Sequence, residues 1–309
     1  MSKPVVILGV FVADTAYRAD RAPRMGETIM GNSFALGPGG KGSNQSVAAG
    51  KLGGDVSFIT RLGKDDFAKL ALKTWQKAKV KPAIIEDEEN ATGAAFIFID
   101  TKSGDNAIII APGAAGKITP DILHQNKDLI AESRIFMTQL EQPVEVALEG
   151  LKLARQHGKI TILNPAPATS LPEEIFGLCD YITPNETETE TLTGLPVRTI
   201  EEAEKAANTL AQKGVSTPII TMGAQGAYLY GHGLVPAYHA GDVVETTGAG
   251  DAFNGALATA LAEGQSDIQA VHFGCATSAI AVTRPGAASS MPTREEVERF
   301  LASQKDVQG

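Results

Sequence analysis

"RIFMTQLEQPVEVALEGLKLARQHGKITILNP", residues 134–165, changes its hydrophobic period twice. RIFMTQ (134–139) is an apolar run of strand length, PVEVALEGLKLARQHG (143–158) spaces its apolar residues helically and stops on glycine, and ITILNP (160–165) returns to a strand. The alternation continues outward. VVILGVF (5–11), VSFIT (56–60), DYITP (180–184) and PIITM (218–222) predict further strands, while NQSVAAGKLG (44–53) and IEEAEKAANTLAQKG (200–214) predict helices. Such alternation implies an α/β fold, a mainly parallel sheet sandwiched by helices. Residues 12–37 and 93–111 break the rhythm with strands and turns. The second holds a hairpin pattern (FIFID, TKSGDN, AIIIA), so both stretches are expected to form a small β-sheet lid over the strand ends. No low-complexity linker or internal repeat divides the chain, and residues 1–309 read as a single domain with a lid.

With 309 residues, 43% of them apolar and 20% charged, the chain can bury a large core. Disorder is expected only in the tail after Leu301. A net charge of -9 argues against a broad nucleic-acid footprint, because phosphate backbones recruit an excess of Lys and Arg. Cys179 and Cys275 lie far apart and outside metal-ligand spacing, which reads as two buried thiols of a reduced compartment. Residues 4–13 resemble a signal-peptide core but read better as a buried first strand, and no run reaches the roughly 18–20 apolar residues of a membrane span. A cytoplasmic protein is expected.

Two glycine clusters stand out. GPGGKGSNQSVAAG (37–50) contains a G-x-G-x-x-G spacing at Gly37, Gly39 and Gly42, but it lies too far beyond the first strand for a dinucleotide fingerprint. Lys41 is followed by Gly42, so it is no Walker A loop. A helix is expected to begin near Ser43 or Asn44. Gly39 and Gly40 would let the backbone approach a ligand, with Lys41 and Asn44 adding polar groups at the helix N-terminus. In the second cluster, AYHAGDVVETT (237–247) reads as strands and DAFNGALATALAEG (251–264) as a helix, placing Gly248, Ala249 and Gly250 at a strand-to-helix turn whose N–H groups can converge on an anion. Asp251 follows in the first turn. It can be an ordinary capping residue, or the base that phosphoryl transfer to an alcohol requires.

These stretches together resemble the ribokinase-like branch of the PfkB family of carbohydrate kinases. The resemblance runs through GGKGSNQSVAAGKLG (39–53), QLEQP (139–143), LNPAPA (163–168), TPNETE (183–188), TMGAQGA (221–227), ETTGAGDAFNGA (245–256) and AIAVTRPGAASSMP (279–292), nearly the whole chain. It implies ATP-dependent phosphorylation of a sugar at its primary hydroxyl, with D-ribose the first candidate. Asp251 would be the base, and Gly248, Ala249 and Gly250 the anion hole. Asp14, Gly40, Lys41, Gly42, Asn44 and Glu141 would hold the sugar. Asn185, Thr221, Gly223, Gly226, Gly250 and Cys275 would line the nucleotide site, with Glu188 acting on magnesium through water. A monovalent cation, potassium, would sit among Glu245, Thr247, Ala281, Arg284, Gly286 and Ser290. Pairing of lids into a homodimer is also implied. The ordinary alternatives stand beside these roles: Asp14 as a turn residue, Glu141 as a helix cap, Asn185 as the cap of ETETETLTG.

Three positions depart from the family pattern. Val12 stands where an Asn contacting the sugar is usual, which leaves a deoxypentose open, as well as fructose or a nucleoside. Glu245 replaces an Asp at the cation site, and Cys275 an Asn near the adenine. From other classes, a non-catalytic sugar or nucleotide sensor and a dinucleotide-dependent reductase remain as alternatives.

Overall fold

A computed structural model describes residues 3–307. Its strands are β1 Val5–Leu8, β2 Val12–Ala19, β3 Ser33–Gly39, β4 Val56–Gly63, β5 Lys81–Asp87, β6 Thr92–Asp100, β7 Asn106–Gly113, β8 Ile135–Thr138, β9 Ile160–Leu163, β10 Tyr181–Ile182, β11 Thr217–Thr221, β12 Gly226–Leu229 and β13 Gly233–Pro236. Its helices are α1 Lys41–Lys51, α2 Asp66–Lys77, α3 Asp121–Gln125, α4 Lys127–Glu132, α5 Val144–Gln156, α6 Glu186–Thr193, α7 Ile200–Gln212, α8 Ala249–Glu263, α9 Asp267–Ala281 and α10 Arg294–Val307.

Nine strands form the main sheet in the order β13-β12-β11-β10-β9-β8-β1-β4-β5. From β11 to β5 all neighbours are parallel, and the hairpin β12–β13 adds an antiparallel edge. Because side chains alternate across a strand, β1 feeds two cores. Val5 and Ile7 pack in the layer with Val47, Phe253 and Leu257, whereas Val6 and Leu8 pack with Val146, Ala147 and Leu151. All four are fully buried, as a two-sided parallel sheet demands.

The second sheet, β3-β2-β6-β7, is built from the two stretches that lack helices. β6 and β7 pair antiparallel as the expected hairpin, and β2 joins them by a parallel pairing to β6. Two expectations fail. Residues 237–247 form no strand, because the segment finds no sheet partner: Val243 and Val244 are 63% and 60% exposed, and the N–H groups of Val244 and Glu245 both donate to Val282 O. The segment lines a cavity instead. α10 runs to Val307, so the tail expected to be disordered is helical over 302–307, and its last two residues lie outside the described residues.

Candidate active site

The turn at Gly248–Gly250 and the start of α1 meet at the same place because α1 and α8 cross closely. Gly255 permits it: a Cβ there would come within 2.6 Å of both Gln45 O and Ala48 Cβ. α8 is apolar all round, with every residue from Asp251 to Ala262 buried, so its few polar side chains must be satisfied by neighbours. Asp251 lies in its first turn, 6% exposed. Both carboxylate oxygens are occupied: Asn44 Nδ2 donates to Oδ2 at 3.0 Å and Gln45 Nε2 to Oδ1 at 3.1 Å. Asp251 does not cap the helix. Gly248 holds the cap position in the left-handed conformation, without a side-chain cap.

Of the proposed anion hole, the N–H of Ala249 already donates to Thr246 O at 3.1 Å, closing the turn. The N–H groups of Gly248 and Gly250 have no backbone acceptor among the described residues. α1 begins at Lys41, two residues before the expected start, with Gly40 as its cap residue. Gly39 answers to the chain itself, for a Cβ there would sit 2.3–2.5 Å from the Asp14 carboxylate. Asp14 therefore lies flat against the β3 end. The Lys41 N–H donates to Glu141 Oε2 at 2.7 Å, so Glu141 accepts from α1 and caps no helix of its own.

Asp14, Gly40, Lys41, Gly42, Asn44, Glu141 and Asp251 are thus gathered at one place. Its electrostatics are tense. Burial, with the charges of Glu245 and Asp251, pushes the Asp14 carboxyl up to about 6. Burial pushes Glu141 up to about 7 against the opposing Lys41 N–H and ammonium. Asp251 is also raised by burial, an effect opposed by Lys41 and by the amides of Asn44 and Gln45. Burial disfavours the Lys41 ammonium, but Asp251, Glu141 and Glu188 outweigh it and raise its pKa. Asn44 is 4% exposed and its Oδ1 has no hydrogen-bond partner. An orphaned buried acceptor costs roughly 1–3 kcal/mol, which a ligand hydroxyl would relieve.

Beside this centre lies a cavity of about 490 Å³. Asn185, Thr221, Gly223, Gly226, Gly250 and Cys275 all line it, joined by Tyr238, Phe253 and Ser278. Burial pushes the Cys275 thiol up to about 12, so it acts as an apolar wall. Asn185 holds two roles at once: it caps α6, accepting from Glu188 N at 2.8 Å, while Glu188 Oε2 accepts from Asn185 N at 2.9 Å. Glu188 Oε1 is left for a hydrated cation, which fits magnesium held on phosphates. Glu245 Oε2 accepts from Gly286 N at 2.9 Å and brings the segment 245–247 onto 281–290. There Ser290 donates to Ala287 O and the Arg284 side chain is taken by Glu296 at 2.6 Å. Carbonyl and hydroxyl oxygens with one carboxylate suit a weakly charged cation. Among the described residues no cluster of three His, Cys, Asp or Glu side chains is arranged to hold a metal ion.

Sequence reasoning passed over Gln45, Gln139, Asn164 and Asn254, which build the polar floor under Asp251. All four lie inside the motifs that carry the family resemblance, but nothing in the residue types separates a network member from a ligand contact. Val12 is 6% exposed and paired to Gly39 and Gly93 in the lid sheet, a buried apolar side chain two residues from Asp14.

Residues 3–294 match the model of the pfkB family carbohydrate kinases. The chain is 38% identical over 305 residues to a ribokinase of Haemophilus influenzae, covering 97% of this chain and 99% of the relative. It is 32% identical over 303 residues to a deoxyribokinase of Salmonella typhi, covering 96% and 98%. Among solved structures it superimposes on Arabidopsis thaliana ribokinase complexed with ribose and ATP, with a TM-score of 0.91 and 30% identity over 97% of this chain and 99% of that one.

Proposed function

This chain belongs to the pfkB family of carbohydrate kinases, and from that premise we propose that it transfers the γ-phosphoryl group of ATP to the primary 5-hydroxyl of D-ribose. The observation that carries this reading is the buried Asp251 carboxylate, held by two amides at the start of α8, with an orphaned acceptor on the neighbouring Asn44 and a cavity of about 490 Å³ lined by the adjoining Ala249 and Gly250.

Asn44, Asp14 and Glu141 orient the sugar, the lid sheet that carries Asp14 excludes water, and Asp251 accepts the hydroxyl proton as the oxygen attacks. The N–H groups of Gly248 and Gly250, with the α8 N-terminus and Lys41, face the charge that builds on the transferred oxygens. Magnesium bound near Glu188 would neutralise phosphate charge. A potassium ion among Glu245, Thr247, Ala281, Arg284, Gly286 and Ser290 would brace the anion hole, and running the assay in potassium and then in sodium tests it. The reading is of a cytoplasmic enzyme working as a homodimer paired through its lids. No helix among the described residues is long and apolar enough to cross a membrane, and both cysteines are free and buried.

A second reading, 2-deoxyribose as substrate, is favoured by Val12, which offers no hydrogen bond to a sugar hydroxyl. ADP release measured with ribose, deoxyribose, fructose and adenosine separates the two and tests the rest. Ribose should give the highest kcat/KM, and a complete lack of ADP release with every sugar would overturn the kinase reading. Asp251→Asn should lower turnover by about 10²- to 10⁴-fold while calorimetric sugar binding survives.

A further inference from the structure

The Gln45 amide lines neither the sugar pocket nor the nucleotide cavity, yet it is 0% exposed and fully bonded. Its nitrogen donates to Asp251 Oδ1 at 3.1 Å and to Asn164 Oδ1 at 3.0 Å, and its carbonyl accepts from Gln139 Nε2 at 2.5 Å. Asn164 Nδ2 donates to Thr183 O at 3.1 Å, which turns Asn164 Oδ1 toward Gln45, and the backbone carbonyl of Gln139 accepts from Gln142 Nε2 at 2.5 Å while the Gln139 side-chain Oε1 is buried without a partner. A primary amide has one acceptor end and one donor end. With the acceptor end committed to Gln139, the donor end must face Asp251.

We propose that Gln45 is the positioning residue of the base: it clamps Oδ1 and sets the carboxylate plane, so that Oδ2 is the oxygen that receives the sugar proton. This rests on the proposed role of Asp251. The two oxygens differ in what surrounds them. Oδ1 is held by Gln45, which is 0% exposed and also donates to the buried Asn164 Oδ1, whereas the partner of Oδ2 is Asn44, whose own Oδ1 lacks a donor. A sugar hydroxyl that donates to the free Asn44 Oδ1 would therefore lie on the Oδ2 side of the carboxylate. Gln45, with no solvent exposure, is held in this orientation by its bonds to Asn164 and from Gln139. The clamp also supplies one of the donors that oppose the burial of the Asp251 charge. The other charged groups facing Asp251 are Lys41 from α1, Asp14 from β2, Glu141 and, from α6, Glu188, and all of them persist when Gln45 is changed.

Gln45→Met keeps the length of the side chain and removes the donor. Its kcat should fall about tenfold and the acid limb of its pH–kcat profile should move up by about one pH unit. Ribose KM and calorimetric Kd should stay within about twofold, since Oδ2 and Asn44 are untouched. Gln139→Met, which frees the Gln45 carbonyl without touching Asp251, should give the same signs with smaller size. A Gln45→Met profile that superimposes on the parent, or a loss confined to KM, overturns the proposal. If Gln45→Met does not fold, Gln139→Met decides by the same criteria. Asp251→Asn keeps the two claims apart: retained turnover there removes the base and the clamp together, whereas an inactive Asp251→Asn beside an unmoved Gln45→Met profile removes the clamp alone.

Discussion

Asp14, Glu141 and Asp251 crowd three carboxyls around one lysine, and burial raises all three. Such groups bind protons more tightly in the fold than in the unfolded chain, so ionising them costs stability. For Glu141 the cost is absent below its ordinary value of 4.5 and is complete above about 7. Replacing the carboxyl with a neutral amide of the same shape removes it. Glu141→Gln should match the parent near pH 4 and exceed it by up to about 3 kcal/mol at pH 8, measured by urea unfolding at both values. An equal difference at both pH values would show that the carboxyl is not held raised. At this scale the motifs told the residue types but not their contacts. Asp251 was legible as a carboxylate at a glycine turn. That Glu141, a hundred positions from Lys41, accepts the first N–H of α1 depends on where β8 ends relative to β1.

α1 and α8 are where separate motifs become one site. Gly255 sits in their crossing, one turn beyond Asp251, and a methyl group there would meet the Gln45 carbonyl and the Ala48 side chain at 2.6 Å. Gly255→Ala should push the helices apart, cost about 1–3 kcal/mol in thermal or urea unfolding, and lower kcat by loosening both amide contacts to Asp251. Unchanged stability and turnover would mean that the crossing has slack. Element types followed from hydrophobic period, so α5, α7, β4 and the strands from β8 to β11 fall where the pattern puts them, α1 starts two residues early, and β5 was not foreseen. Residues 237–247 did not, because a Val-rich segment becomes a strand only if an edge is open to it. Here the sheet ends at β13 and the segment folds over the cavity, held by Val282 O.

Across the whole molecule, the lid sheet shows two unlike faces. Asp14 points to the site, while Tyr17, three residues on, lies on the other face and packs on Phe34 and Phe96 with ring centroids 5.0 and 5.5 Å apart. Tyr17, Phe34, Leu36 and Ile109 are 42%, 56%, 46% and 68% exposed, an apolar patch that a second lid would cover. Light scattering should give twice the 32.3 kDa of one chain, and Ile109→Glu should halve that mass. A parent that runs as a monomer would rule out lid pairing. What the sequence by itself determined is local: the period of each element, the turns where glycine is needed, and the acids and amides available, because hydrophobic alternation and backbone sterics act over a few residues. The tertiary structure alone decided that Asn44 and Gln45 meet a carboxylate more than two hundred positions away, that Ala249 spends its N–H on Thr246, and which oxygen of Asp251 Gln45 holds. Those outcomes depend on how closely two helices pack over the sheet, a distance set by the summed volumes of the whole core.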